Sequence, residues 1–388
     1  MDTAPVSSPV DADQHLVEPR GMWADHIDPC HRHLALDLVD DDNANPWLTA
    51  PGGQRIEPAI VHVSGDVVTT GRRKAAIERG EPADVSYDDL LDPATSDPAA
   101  RLAALDRWEI DEAVCFPNFG LLLDRPLADR PDVLHANQRA WNRWAAGVRA
   151  DSGDRLHPVA HVSLRDLDRL DLELASVAAA GLRLAMVPPS LVDGQRLSHP
   201  DLDDAWAAFC HHGVTPCFHV AAFPHPFGDA WYEDDPDQVN PVLDSVFLWT
   251  PAALCLADLA IHGVFERHPD LRIGVMELSA AWFGSFLLMV DGGFDFHARF
   301  NGAPLTELPR RPSSYLLERV RVAAFAYEDP ATLIEQVGTG TFMFCSDWPH
   351  AEGIPHPLDD YTRATAGRLD DVAGANLYRR NIDFLLRR

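Results

Sequence analysis

The chain is almost without lysine. Its one lysine, Lys74, lies in the polar stretch TTGRRKAAIERGE and ends no apolar run. This argues against a two-metal centre bridged by a carbamylated lysine on a barrel strand, and leaves a single ion as the better expectation for any metal site. Positive charge is scarce altogether: the formal net charge is −28. Little is left over to neutralise phosphate, so neither a nucleic acid nor an anionic membrane is an expected partner. The acidity is read as serving solubility.

Other absences narrow the class further. Six cysteines occur, but none forms a C-x-x-C pair, so a structural zinc ribbon is not indicated. The opening MDTAPVSSP has no basic head before an apolar segment, so no signal peptide is visible. No stretch reads as approaching a membrane span. A reduced, cytoplasmic setting is the resulting expectation. The first apolar run continues as DADQHLVEP, without glycine. A doubly wound nucleotide-binding sheet would usually carry a glycine-rich loop there.

What is present is an ordinary globular composition, 46% hydrophobic and 24% charged over 388 residues, enough for a large core. Eight short apolar runs have strand character: near residues 9–15, 113–118, 157–164, 182–189, 214–220, 271–278, 319–327 and 341–348. Most are continuous rather than alternating, as strands buried on both faces are. Helical patterns separate them, and Gly181 and Gly213 are placed to stop two of these helices. Alternating strands and helices predict parallel pairing with right-handed crossovers. Eight such units predict an α/β fold, a (β/α)8 TIM barrel. The expectation is a single domain over residues 1–388. A loop-rich insertion, about 35–97, follows the first strand as a lid, dimer contact or solvated excursion. A second long loop follows the fifth run. Its Phe223, Phe227, Trp231 and Tyr232 could roof an apolar pocket.

Acids and histidines sit at the C-terminal ends of these runs. In a parallel barrel such ends face one cleft. Asp13 and His15 are two apart on the first strand, so they share a side, with Asp11 below them. A carboxylate with an imidazole suits zinc, manganese or iron. The bland reading makes Asp13 a cap and His15 a packed histidine. His219 ends the fifth run and, taken alone, is more often a satisfied buried histidine than a ligand. Asp347 follows four apolar residues in FMFCSD and is costly to bury unpaired. It needs a cation, a hydrogen-bond network or a metal, unless it is a helix cap. Glu277 ends the sixth run in VMELSAAW. It could orient a water, act as a base with a pKa raised by burial, or pair with an arginine. Glu18, His350 and Glu352 are weaker candidates for supporting roles. His31, His33, His211 and His212 read as surface residues.

Together the segments DADQHLVEP, RLAALDRWEIDEAVCFPN, FHV, GVFERHPDLRIGVMEL, FCSDWPHAEG and ANLYRRNIDFL resemble the amidohydrolase-related family (amidohydrolase family 2). That group includes aminocarboxymuconate-semialdehyde and resorcylate-type decarboxylases. The resemblance spans nearly the whole chain. It implies a metal-dependent TIM barrel with Asp13, His15, His219 and Asp347 as metal ligands. Asp13 replaces the first histidine of the H-x-H form seen in much of the superfamily, as an acid does in the resorcylate-type enzymes. Glu277 stands where many of these decarboxylases carry a histidine. The resemblance implies one divalent ion, zinc first, with manganese and iron as alternatives. It also implies a homodimer and a small carboxylic acid as substrate. The expected activity is non-oxidative decarboxylation, with Asp347, Glu277 and His219 as catalytic residues. Metal-dependent hydrolysis of an amide, ester or lactone is the alternative from the same residues. A barrel retained only for binding is the third.

Overall fold

Buried apolar strands of three to seven residues build the interior of the protein. The computed structural model describes residues 8–60, 70–82, 86–222, 224, 227–232, 242–350 and 357–388. Phe223 and Glu352 lie outside them. The strands are β1 (Val10–Leu16), β2 (Asp37–Asp40), β3 (Pro46–Ala50), β4 (Gln54–Pro58), β5 (Glu112–Pro117) and β6 (Leu156–Pro158). They continue as β7 (Ala160–His161), β8 (Leu184–Met186), β9 (Thr215–Phe218), β10 (Ile273–Val275), β11 (Val320–Ala324) and β12 (Phe342–Phe344).

Apart from β2–β4, neighbouring strands pair parallel in chain order from β1 through β5 to β12. The third run is split rather than continuous. Pro158 ends β6, which pairs with β5, while β7 pairs with β8. Proline has no amide hydrogen to give a ladder, so one strand cannot serve both neighbours without interruption. The ring closes at the β12 end. Gln14 bridges Trp348 in parallel, Asp347 N donates to the Asp13 carbonyl and His15 N to the Trp348 carbonyl, each at 2.8 Å. The barrel is therefore the expected (β/α)8 form.

The continuous apolar runs are explained by two cores. Val114, Phe116, Met186, Cys217, Met276 and Met343 fill the barrel interior. Ala113, Cys115, Ile273, Val275, Phe342 and Phe344, on the intervening positions, pack outward against the helices. Ile382, Leu385 and Leu386, from the helix Asn381–Leu386, join the interior cluster. Gly213, at φ +64°, ends the helix Asp203–His212 as its pattern predicts, since a left-handed residue there is cheap only for glycine.

The insertion is more ordered than a loop-rich excursion. β2, β3 and β4 form an antiparallel sheet, and Leu38, Leu48 and Ala50 join the core around Trp23 and Trp141. Lys74, on the helix Thr70–Glu78, pairs with Glu57 of β4 in the insertion. A second correction concerns membrane spans. The segment Val242–Ile261 is long and apolar enough to cross a membrane by length and composition. It is interrupted between the helices Val242–Phe247 and Thr250–Ile261. Ala252, Leu256, Leu259 and Ala260 of the second helix pack in the core of the barrel.

Candidate metal centre

The strand pattern alone would turn Asp13 and Ala12 to opposite sides. A bulge decides where they go. Between Asp11 and Gln14, β1 spends one residue more than its partner β5, where Ala113 and Cys115 stand opposite. An extra residue of this kind re-aims the side chains that follow it. Asp11 is thereby separated from the pair above it rather than lying beneath them on one face. Its carboxylate accepts from Gln14 Nε2 at 2.8 Å, Ser346 N at 2.9 Å and Asp13 N at 3.1 Å. It locks the bulge to the segment that carries Asp347.

Past the bulge, Asp13 and His15 meet residues from three other strand ends. His219 Nε2 lies 3.4 Å from Asp13 Oδ1 and 3.1 Å from Glu277 Oε2. His15 Nε2 lies 3.1 Å from Asp347 Oδ1, 3.5 Å from Glu277 Oε2 and 3.7 Å from Asp13 Oδ1. Two overlapping sets have donor atoms within 4.8 Å of one another: His15, Glu277, Asp347 and His350, and Asp13, His15 and His219. Glu277 and Asp347 both have φ of +56°. A left-handed non-glycine residue costs about 1–3 kcal/mol and persists only where the surroundings over-determine it.

The donor chemistry fits a divalent cation. His15 Nδ1 faces the Pro117 carbonyl at 3.1 Å, and His219 Nδ1 faces the Val220 carbonyl at 3.0 Å. A carbonyl can only accept, so each Nδ1 carries the proton and each Nε2 presents a lone pair. Among the described residues, both Nε2 atoms are buried without a hydrogen-bond partner, as are both carboxylate oxygens of Asp13 and of Asp347 and Oε2 of Glu277. Buried polar atoms without partners are rare in folded proteins. Here they converge from four strand ends, and the short contacts among them lack hydrogen-bond alignment. One cation satisfies them together.

The sequence matches the amidohydrolase family over residues 10–382. The chain belongs to that family. An amidohydrolase of Mycobacterium avium subsp. paratuberculosis is 25% identical, with a TM-score of 0.77 over 99% of this chain and 100% of its own. A 5-carboxyvanillate decarboxylase of Novosphingobium aromaticivorans, solved with manganese and 4-hydroxy-3-methoxy-5-nitrobenzoic acid, is 16% identical. Its TM-score is 0.68 over 98% of this chain and 96% of its own. A 2,6-dihydroxybenzoate decarboxylase from Rhizobium is 17% identical, with a TM-score of 0.60 over 98% of each chain. The two decarboxylases share the fold. Comparison with curated proteins gives no match.

Electrostatics in this amidohydrolase set the acids apart. Burial pushes the Asp13 carboxyl up. Burial acts the same way on Glu277, but the pull of His219 and His350 outweighs it and holds Glu277 well below the usual carboxylate range. Glu277 is thus kept ionised, contrary to the raised pKa expected from burial alone. Burial and His350 act to lower the His15 pKa, and the carboxylates of Asp347 and Glu277 overcome them and raise it to about 9. Such a site attracts positive charge, and a proton and a metal ion compete for it.

Three residues were undervalued or missed by sequence reasoning. His350 stacks on His15 at 3.7 Å between ring centroids, with Nδ1 3.0 Å from Asp347 Oδ1. It belongs to the cluster rather than to its surroundings. Asn118 Oδ1 lies 3.2 Å from His350 Nε2; its place at the end of the second apolar run was the available signal. Arg101 is wholly buried behind the site. Glu18, by contrast, is an anchor. Its carboxylate accepts from Phe119 N at 3.0 Å and Gly120 N at 2.9 Å. Phe227 packs on Phe247, and Trp231 is exposed. Neither lines the large cavity at the mouth, which is walled by other residues.

Proposed function

We propose that this amidohydrolase is a mononuclear divalent-metal enzyme that decarboxylates a small aromatic or unsaturated carboxylic acid. Asp13, His15, His219 and Asp347 hold the ion. Zinc is the expected metal, and the mixed donor set also suits manganese or iron; a relative of the same fold was solved with manganese. The carrying observation is the convergence of unpartnered Nε2 and carboxylate oxygens from four strand ends. When bound, the ion supplies Lewis acidity and a fixed charge for the substrate carboxylate or a neighbouring hydroxyl. The bond between the carboxylate and its carbon breaks, carbon dioxide leaves, and the remaining electron pair takes a proton. Asp347 would deliver it, and His350, whose Nδ1 lies 3.0 Å from Asp347 Oδ1, would replenish it.

One observation favours a hydrolytic second reading. Glu277, held as a carboxylate, keeps 12% of its side chain exposed while its Oε2 faces the cluster. A base with that placement suits the activation of water.

The experiment is a panel of hydroxybenzoates, esters and lactones offered to protein purified without chelator, with metal content and carbon dioxide both measured. Carbon dioxide from a hydroxybenzoate, with about one equivalent of metal, is the expected result. Hydrolysis without carbon dioxide removes the decarboxylase reading. Metal below about a tenth of an equivalent, unchanged by Asp347→Ala, removes the metal-enzyme reading as well.

A second copy of the chain is the expected macromolecular partner. The helix Phe283–Asn301 exposes Leu288, Met289, Phe296 and Phe300. Between these pairs lie Gly292 and Gly293, with open space where a Cβ would stand. Two such helices can cross at the glycines, each large pair packing beside the other copy, in a self-complementary contact.

A further inference from the structure

A cavity of about 560 Å3 opens at the C-terminal end of the barrel beside the metal centre. Its walls come from the segments that follow β5, β7, β8 and β9 and from the helix Thr250–Ile261. Ala221, two residues past His219, lines it, as does Leu121. Both pack in the interior cluster with Phe116, whose ring centroid is 4.2 Å from that of His219. The cavity and the cluster thus share a wall. Its remaining apolar surface includes Pro188, Pro189, Pro251 and Leu254. Cavities of roughly 300–1,000 Å3 enclose ligands of drug size, so a single-ring acid would leave most of this one to water.

The charged groups in the lining are three arginines, Arg125, Arg165 and Arg196, and two acids, Asp124 and Asp258. Arg165 is already committed. It bonds Asp124 at 3.1 Å and pairs with Asp193. The other two are held less firmly. Arg196 has Asp258 at 3.8 Å, and that carboxylate is engaged by Ser198 N and Oγ, each at 2.8 Å. The Arg125 side chain makes no hydrogen bond or ion pair among the described residues and is exposed on the cavity rim. Thr250 Oγ1, also in the lining, is buried without a partner. In a chain so acidic, one guanidinium without a partner among the described residues and another held only by a long ion pair mark a place on this cavity for an anion, and arginine suits a carboxylate or phosphate in particular.

We propose that the substrate is an elongated, doubly anionic acid. One carboxylate meets the metal centre, an apolar body longer than one ring fills the cavity, and a second anionic group is received by Arg125 and Arg196. This rests on the metal-enzyme reading above for the reacting end, and on the cavity alone for the distal end.

The test uses metal-loaded, full-length protein and three probes: 2-hydroxybenzoate, 5-(4-carboxyphenyl)-2-hydroxybenzoate and the carboxamide of the latter. Binding is read by calorimetry and turnover by carbon dioxide release. The diacid should bind at least tenfold more tightly than the carboxamide. In Arg125→Gln and Arg196→Gln that ratio should fall toward one, with metal content unchanged. Equal binding of diacid and carboxamide, no binding of either, or a ratio untouched by both variants overturns the proposal. Preferential binding of the diacid that Arg125→Gln abolishes, with no carbon dioxide from any probe, sustains the cavity assignment while the decarboxylase reading fails. Carbon dioxide from 2-hydroxybenzoate with no preference for the diacid does the reverse.

Discussion

The guanidinium carbon of Arg101 lies 4.3 Å from the centre of the Trp348 ring. From that position Nη2 donates to the His15 carbonyl at 2.6 Å, Nη1 to Gln14 Oε1 at 2.9 Å and Nε to the Ala94 carbonyl at 2.6 Å. One side chain thus binds the first strand of the barrel and the segment after the last, directly behind His15 and Asp347. No carboxylate among the described residues bonds it, and burial pulls its pKa down.

Arg101→Met is expected to strand three buried acceptors. Each unsatisfied buried group costs about 1–3 kcal/mol, so the loss should reach at least about 3 kcal/mol. Urea unfolding of the metal-loaded protein measures it. An unchanged midpoint would show that the guanidinium contributes nothing to closure.

Glu277→Gln keeps the shape of the side chain and removes its charge. If Glu277 acts on the substrate or on water, turnover should drop about 10²- to 10⁴-fold while bound metal is retained. Asp347→Ala should lose the metal itself. Equal metal loss in both variants would make Glu277 a ligand first and a base second.

Glu18 gives a pH dependence of known sign. Burial raises its carboxyl to about 7 against the downward pull of the Phe119 and Gly120 amides. The folded form therefore binds a proton more tightly than the unfolded one, whose glutamate titrates near 4.3. Between about pH 4.3 and 7, Glu18 makes stability fall as pH rises. The melting temperature of wild type relative to Glu18→Gln should accordingly decline from pH 5 to pH 8. A difference that grows in favour of wild type over that range would contradict the assignment.

Met289→Glu and Phe296→Glu place charge on the exposed apolar face of the helix Phe283–Asn301. Light scattering should show wild type at twice the chain mass and each variant at the chain mass, with bound metal unchanged. A wild-type monomer would leave this face without the partner assigned to it.

Much of the barrel was legible because burial on both faces leaves a plain mark: short continuous apolar runs at regular spacing. The strand ends were legible for the same reason, since a carboxylate closing such a run, as Asp347 does, conflicts with its surroundings. What escaped depended on contacts between distant segments. The bulge in β1 arises from pairing with β5, and no residue of VDADQHL announces it. Arg101 sits in an amphipathic helix where a lone arginine reads as solvent-facing, and only the closed ring reveals what covers it. The ionisation of Glu277 was misjudged because burial was visible in the sequence and the two neighbouring histidines were not. The insertion hid its sheet because Asp, Gly and Pro dominate its turns while Leu38, Leu48 and Ala50 lie too far apart to form a run.

Closing the ring between β1 and the segment after β12 joins residues as far apart as Ser346 and Asp11, separated by 335 positions. Asp13 and His15 therefore leave the ribosome well before Asp347. At about 5–20 residues per second, roughly 17 to 70 seconds of synthesis separate the two halves of the ligand set. A nascent chain has no complete site to offer a metal during that time. On the metal-enzyme reading, loading belongs to the closed barrel, and acquisition of metal becomes a report that β1 and the segment after β12 have met.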